Sequence, residues 1–272
     1  ISTMRPMPTD RSTRVVGDVE LELDVPIPGR ILPEEQWTAI AKAAPLPEGD
    51  LTADLLRAAG TTGPLVFDLG CGNGRFSLLS SLARPELSHI ALESDDMHLR
   101  YLRRRARQRG VTNLRLFMGE AEDLVARLAP GAAAELHTYH PQPYHEPGHA
   151  HRRLFQPAFQ LAAFAALCDG GRLCVQTDSK PYAHYLRQAL PALFEVRELN
   201  DGDDWPDDLG RPRGRRELVS TEKGLRIWRF SAVKRALSDE DAKVRAARLP
   251  VPDFTSDRKM TYHRRKRLRG GS

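Results

Sequence analysis

At 272 residues with 40% apolar side chains, the chain is long enough to bury a real core, which excludes a disordered protein. The three cysteines, Cys71, Cys168 and Cys174, form no even set and no Cys-x-x-Cys pair. That argues against a disulfide scaffold and a structural zinc site, so no metal is expected and a reducing compartment fits best. No apolar run approaches the roughly 20 residues needed to cross a bilayer, and Ile1 to Arg14 has no signal-peptide character. A soluble, cytoplasmic protein with no membrane partner is therefore expected. The formal charge is only +5, but basic residues cluster at Arg100 to Arg109, Arg211 to Arg216 and Arg264 to Arg269. Any one cluster alone reads as a solvated helix face, loop or tail, whereas the clustering bears on a nucleic-acid partner more than the total does.

Residues 1–60 are Pro-rich and read as an N-terminal extension packed on a core. Within it Val19 to Leu23 alternates like a short strand, and Glu34 to Ala44 is predicted helical. From Leu65 onward short apolar runs alternate with charged amphipathic segments. That pattern predicts an α/β domain over residues 61–235, with a mostly parallel sheet covered by helices on both faces. Strands are expected at Leu65 to Leu69, His89 to Glu93, Leu114 to Met118, Ala134 to Tyr139 and Gly171 to Thr177. Leu154 to Leu167 has helical period, and Cys168-Asp169-Gly170-Gly171 is a plausible helix stop. Pro181 to Leu190 follows as a helix, and the runs Phe194 to Leu199 and Leu225 to Phe230 could pair antiparallel at the sheet edge. Between those runs, Asn200 to Arg216 is a loop long enough to be functional or mobile. Residues 236–272 read as a helix, Ala236 to Leu249, and a basic tail.

The most informative stretch is Asp68-Leu69-Gly70-Cys71-Gly72-Asn73-Gly74. A strand precedes it and an amphipathic segment follows, so Gly70, Gly72 and Gly74 can turn the backbone sharply and let it approach a ligand. The second strand ends in Glu93, placed to accept hydrogen bonds from both ribose hydroxyls of an adenosine. NAD sites share this geometry. Asp68, however, would repel a pyrophosphate and suits a cofactor carrying an amino group and a sulfonium charge, namely S-adenosylmethionine (SAM). Glu120, after the third strand, could receive the adenine amino group.

The loop after the fourth strand, His140-Pro141-Gln142-Pro143-Tyr144, leaves the sheet edge where substrates bind in open α/β folds. Its histidines, His140, His145, His149 and His151, lack the pairing with acids or thiols that a metal site needs and read as solvent-exposed.

Here the chain resembles the bacterial tRNA (guanine-N(7)-)-methyltransferase family, whose Phe-Pro-Asp-Pro-Trp loop and following Arg-Arg-Leu match His140 to Tyr144 and Arg152-Arg153-Leu154. Further likenesses are Gln156-Pro157-Ala158-Phe159, Gly170-Gly171, Thr177-Asp178 with Tyr182-Ala183, and Arg211-Pro212 to Glu217 with Ile227-Trp228. The resemblance covers about Leu65 to Arg235. It implies a doubly wound, Rossmann-like seven-stranded sheet, SAM as cofactor, tRNA as partner and methylation of a variable-loop guanine at nitrogen 7. It also implies cofactor contacts from Asp68, Glu93 and Glu120 and guanine contacts from Asp178 and Glu217. Gln142 stands at the catalytic loop position where the family has Asp, Tyr144 replaces Trp, and Glu146 stands where the family usually has a substrate-binding Lys. Gly214-Arg215-Arg216-Glu217 replaces Thr-Lys-Phe-Glu. Arg152, Arg153, Arg215 and Arg216 are the candidates for gripping the RNA backbone. A noncatalytic RNA-binding protein of the same fold, or a methyltransferase for a small molecule or protein, stays open, as does a monomer or a homodimer.

Overall fold

The computed structural model describes residues 13–255 except 59, 145 and 201. The basic run Arg264 to Arg269 and His145 lie outside the described residues. The chain begins with β1 (Thr13–Val16), β2 (Val19–Glu22) and β3 (Val25–Pro26), which form a small antiparallel sheet. After β4 (Ala44–Pro45) and the one-turn α1 (Ala53–Leu56), strands and helices alternate: β5 (Leu65–Leu69), α2 (Arg75–Ala83), β6 (Ser88–Glu93), α3 (Asp96–Gln108), β7 (Leu114–Met118), α4 (Ala121–Arg127) and β8 (Ala133–Tyr139). Next come α5 (Pro157–Ala166), β9 (Leu167–Thr177), α6 (Lys180–Ala189), β10 (Phe194–Leu199), α7 (Arg215–Glu222), β11 (Trp228–Lys234) and α8 (Asp239–Ala246).

The main sheet has the order β10-β11-β9-β8-β5-β6-β7-β4. Its strands run parallel except that β11 pairs antiparallel with both β9 and β10. This is the expected doubly wound α/β architecture, with one strand more than the expected seven because two residues of the extension add to the β7 edge. Alternation along β5 shows how the sheet is sandwiched. Leu65, Phe67 and Leu69 join the large core cluster with α4, α5, α6 and α8, while Val66 faces the other side against Phe76 of α2. Ile90 and Leu92 of β6 repeat the pattern on the first face, and Ala91 meets Leu99, Leu102 and Ala106 of α3 on the second. Side chains at every second position thus serve opposite layers, as a parallel sheet covered on both faces requires.

Chain order places the sheet's functional point. The chain steps outward from β5 to β6 to β7 and then returns through α4 to β8 on the other side of β5. The loops after β5 and β8 leave the same edge in opposite directions, which opens a crevice between them.

Several sequence expectations are corrected. Glu34 to Ala44 forms only a single 3-10 turn, Glu34–Gln36. Its backbone is needed elsewhere: Arg103 Nε donates to the Ile40 carbonyl, Arg107 Nε to that of Thr38, and the Thr38 hydroxyl to that of Val111. The segment therefore runs irregularly across α3 instead of coiling. Cys168 to Gly171 lies inside β9 rather than stopping a helix. Gly170 has φ +72°, and a Cβ on Gly171 would sit 2.8 Å from the Cys168 carbonyl oxygen, so the glycines let the strand bulge and stay paired. The last strand is displaced to Trp228–Lys234, after α7 and a turn at Gly224 (φ +62°). The helix expected over Ala236 to Leu249 shortens to Asp239–Ala246, capped by the Ser238 hydroxyl, which accepts from Asp241 N at 3.1 Å.

The 200–214 loop is anchored. Trp205 and Arg213 are each 1% exposed, and the Arg213 guanidinium is paired with Asp207 and donates to the Leu209 carbonyl and the Tyr139 hydroxyl. The small N-terminal sheet is pinned similarly. Glu20 is buried among Arg104, Arg105 and Arg109 of the α3 region, at 2.8, 3.1 and 3.0 Å. Burial alone would raise its carboxyl, but those three guanidinium charges hold it below the ordinary carboxylate range.

Gly74 begins α2 with φ +78°, and a Cβ there would lie 2.3 Å from Leu102 Cδ1 of α3. Gly72 is also left-handed, at φ +53°, but has nothing within 4 Å. Gly74→Ala is therefore expected to lose about 2–4 kcal/mol, from overpacking and backbone strain together, and Gly72→Ala only about 1–2 kcal/mol. Urea unfolding of both variants checks the order.

Candidate active site

Two cavities flank the crevice. One, of about 340 Å³, is lined by Glu93, Ser94, Gly119, Glu120, Tyr144 and Arg152 among others. The second, of about 390 Å³, is lined by Asp68, the Gly70 to Asn73 turn and Arg213 to Arg216. Gly70, His98, Tyr139, His140 and Gln142 line both. The glycine turn and the β8 loop thus form a common wall, with exposed Gln142 on it.

The turn is built as the motif requires. Gly70 has φ +74°, and among the described residues, chain neighbours aside, no atom lies within 4 Å of where a Cβ on it or on Gly72 would point, so bare backbone faces the cavity. Gly74 has a different task from the cofactor contact expected of it, since its missing side chain makes room for Leu102. Glu93 holds the turn to β6. Its Oε2 accepts from Gly72 N at 2.8 Å, and its Oε1 accepts from Ser94 N at 2.9 Å and Asp95 N at 3.3 Å. The Ser94 hydroxyl also donates to Oε1, at 3.4 Å, so the lone pair left for a ribose hydroxyl is on Oε2, beside its bond from Gly72 N.

Asp68 is 4% exposed and accepts from the Ser77 hydroxyl at 2.6 Å. Burial raises its carboxyl to about 7, opposed by the Ser77 hydrogen bond and helped by the nearby Glu93 charge. These features fit SAM: open backbone at the turn, a buried acid whose carboxyl stays raised despite the Arg213 charge, and Glu93 and Glu120 on the adjoining cavity. Glu93 and Glu120 would hold the adenosine and Asp68 the amino group. A pyrophosphate would meet three carboxylates instead.

The residues matched to guanine binding stand behind the cavity wall. Asp178 Oδ2 accepts from Arg216 Nε and Nη2 at 2.9 and 2.7 Å and from the Ser220 hydroxyl at 2.9 Å, while its Oδ1 faces His140 Nδ1 at 3.4 Å. Burial works against its ionised form, but these partners hold the carboxyl far below the ordinary range. Glu217, 2% exposed, accepts from Arg229 Nη2 at 2.8 Å, Gln176 Nε2 at 3.0 Å and Arg213 N at 2.8 Å. Burial and these three bonds hold it inside the protein, and it lines neither of the two cavities at the crevice, which does not suit direct contact with a base there. Arg153 is likewise corrected as a phosphate ligand. It is 1% exposed, lies over the Phe254 ring and donates to the carbonyls of Pro143, Tyr144, Pro252 and Phe254, so it braces the β8 loop. Arg152 is exposed over Tyr144 on the first cavity, and Arg215 and Arg216 line the second, so each can meet a phosphate from its own side.

His140 also departs from expectation. Its side chain is 4% exposed, with φ +58°, in contrast to exposed His149 and His151. Gln176 fixes its proton. Arg229 Nε donates to Gln176 Oε1 at 3.2 Å, so the Gln176 amide nitrogen donates both to Glu217 and to His140 Nε2, the latter at 2.9 Å. His140 Nε2 must accept, and the Nδ1 proton points toward Asp178. This chain of contacts spans Arg229, Gln176, His140, Asp178 and Arg216. Neither His140 nor Gln176 stood out in the sequence, since the first sat among loop histidines and the second inside an apolar strand.

Below the wall a second polar ladder supports Tyr139. Its hydroxyl meets His137 Nδ1 at 2.8 Å, His137 Nε2 meets Glu135 at 2.8 Å, and Glu135 accepts two bonds from Arg84 at 2.9 Å. Glu135, His137 and Asp207 are close enough to share a cation, but Arg84 and Arg213 already match the two carboxylate charges.

The sheet order, glycine turn and acid placement define the class of SAM-dependent methyltransferases. The family model described as "Putative methyltransferase" matches residues 62–230. A tRNA (guanine-N(7)-)-methyltransferase of Nocardia farcinica is 30% identical over 218 residues, covering 74% of this chain and 80% of that one. The enzyme of the same name from Haemophilus influenzae is 27% identical, covering 67% and 75%. One from Paenarthrobacter aurescens is 30% identical over 57% of this chain, which spans about half, 52%, of that relative. Among solved structures, the antibiotic-resistance methyltransferase Kmr is 19% identical with a TM-score of 0.44, covering 66% of this chain and 90% of that one. The chain belongs to the tRNA (guanine-N(7)-)-methyltransferase family, as a divergent member.

Because the Asp68 carboxyl is raised by burial, cofactor binding should be linked to proton release. The folded protein holds this proton between the ordinary carboxyl value of 3.8 and about 7, so the carboxylate's burial penalty is absent below that window and complete above it. A cofactor ammonium beside Asp68 favours the charged form. Affinity for S-adenosylhomocysteine, measured by calorimetry, should therefore rise from about pH 6 to about pH 8 with protons released to buffer. Asp68→Asn should remove this release.

Proposed function

We propose that this protein transfers a methyl group from SAM to ring nitrogen 7 of a guanine in the variable loop of tRNA, in the cytoplasm. The observation that carries the reading is the pair of adjoining cavities whose common wall is made by Gly70, Tyr139, His140 and Gln142. One is suited to an adenosine and the other opens onto the basic rim of Arg215 and Arg216.

When bound, the cofactor supplies an electrophilic methyl group. Ring nitrogen 7 of neutral guanine has a free lone pair, so the protein need not remove a proton. That makes the family's loop acid dispensable as a base and leaves Gln142 an orienting role, since its amide can both donate and accept. Alignment and exclusion of water can supply several kcal/mol, and the braced loop provides both: Arg153 ties it beneath, and Gln176 locks His140. Asp178 can accept the ring and exocyclic N–H groups of guanine once Arg216 leaves it. Arg216, whose side chain is 36% exposed, sits where a tRNA phosphate would draw it off. Glu217 acts through Gln176 and Arg229, as a positioning residue.

Incubation with tritiated SAM and bulk tRNA, followed by digestion to nucleosides, should yield labelled 7-methylguanosine. Label in protein or in no macromolecule would refute the reading. In single turnover, Gln142→Ala is expected to slow transfer by no more than about tenfold, the loss of one neutral hydrogen bond, and Asp178→Ala by about 10- to 100-fold, the loss of a charged acceptor. The reverse order would remove Asp178 from guanine recognition.

A further inference from the structure

Outside the crevice, α3 carries a slot of about 640 Å³ walled by the irregular segment before β4. Trp37 and Leu99 give it an apolar floor, and its charged lining is Lys42, Arg100, Arg103, Arg104 and Arg107 against the single carboxylate of Asp96. We propose that this slot binds the sugar-phosphate backbone of the tRNA substrate. The inference rests on the tRNA reading above and adds a second place of contact, away from the methyl-transfer site.

Three observations distinguish the slot from an ordinary solvated helix face. First, its arginines are held. Arg103 donates through Nε to the Ile40 carbonyl at 2.9 Å and Arg107 through Nε to the Thr38 carbonyl at 3.4 Å. Each such bond uses one of five guanidinium donors and fixes the stem, so less side-chain entropy is lost when a phosphate arrives. Second, aromatic side chains support the charges: Arg107 lies over the Trp37 ring at 5.9 Å, Arg104 over Tyr101 at 5.9 Å, and the Trp37 indole N–H is tied to the Leu32 carbonyl at 2.8 Å. Third, the slot starts on the same turn of α3 as the crevice: His98 lines both central cavities, its chain neighbour Leu99 lines the slot, and Arg100 to Arg107 extend from there along about 10 Å of helix.

The shape selects among polyanions. A recessed slot that starts beside the cofactor site suits an extended phosphate strand continuous with a base held in the crevice, while a lipid surface would need a flat or protruding face. Arg104 is committed to Glu20 at 2.8 Å, which leaves Lys42, Arg100, Arg103 and Arg107 to meet a phosphate. The Asp96 partner of Arg100 is an exposed i,i+4 pair, the kind that binds weakly and yields to a phosphate.

The test uses the full chain. Filter binding to bulk tRNA across a salt series should show that R103Q/R107Q weakens binding about tenfold and lowers the log–log salt slope by about 1.5, the loss of two phosphate contacts. R103K/R107K, which keeps the charges, should recover most of the slope, and R187Q/R197Q, on the far edge of the sheet, should match the parent. Affinity for S-adenosylhomocysteine should be unchanged throughout. An unchanged slope in R103Q/R107Q, with a parent that methylates tRNA, would overturn the slot and leave the function standing. Equal losses in the Lys and Gln variants would also overturn it, because the effect would then belong to the fold. So would loss of binding to phosphatidylserine vesicles with tRNA binding intact. A parent that neither binds nor methylates tRNA would instead sink the function itself.

Discussion

The reversal of strand order beside β5 is the constraint on which everything else in this molecule depends. Because β8 returns next to β5, the loops after the two strands rise from neighbouring positions at one edge of the sheet. One loop is stripped of side chains at Gly70 and Gly72, and the other carries His140 and Gln142. A cofactor and an acceptor base can meet only where such loops adjoin. The hydrophobic layers on both faces fix that edge, since the four apolar residues of β5 are each committed to one core or the other and leave Asp68 to the cavity.

Charge then divides the site. Glu93 and Glu120 give one cavity a negative lining for the adenosine side of the cofactor, and the other holds Asp68 together with Arg213, Arg215 and Arg216. Between them the polar contacts form closed sets with matched charge. Arg84 answers Glu135, Arg213 answers Asp207, and Arg229 answers Glu217. The Arg213–Asp207 and Arg229–Glu217 pairs are buried and the Arg84–Glu135 pair is half-buried, so breaking one leaves a charge poorly compensated by water, and they hold the loops in place more firmly than surface pairs could.

Much of this was legible in the sequence, and the exceptions have physical causes. Strands β5, β7 and β10 lie where short apolar runs end in turn residues, and the glycine turn announced itself because strand, glycines and helix follow one another. The resemblance to relatives located the loop after β8 as well. Local pattern failed where long-range contacts decide the outcome. Glu34 to Ala44 has helical composition, yet its carbonyls serve arginines on α3 from more than 60 residues away. His140 looked like a surface histidine because nothing local reveals that Gln176, 36 residues on, receives it. Arg153 looked like a phosphate ligand because its four carbonyl partners include Pro252 and Phe254, about a hundred residues later. The function of a charged side chain depends on whether the fold gives it partners.

The co-crystal structure with S-adenosylhomocysteine tests the account most directly. It should place the ribose hydroxyls on Glu93, the adenine beside Glu120, the amino group near Asp68 and the sulfur facing His140 and Gln142. A ligand seated instead in the larger cavity of about 1000 Å³ beside Trp228 and Arg226, with the glycine turn untouched, would contradict it.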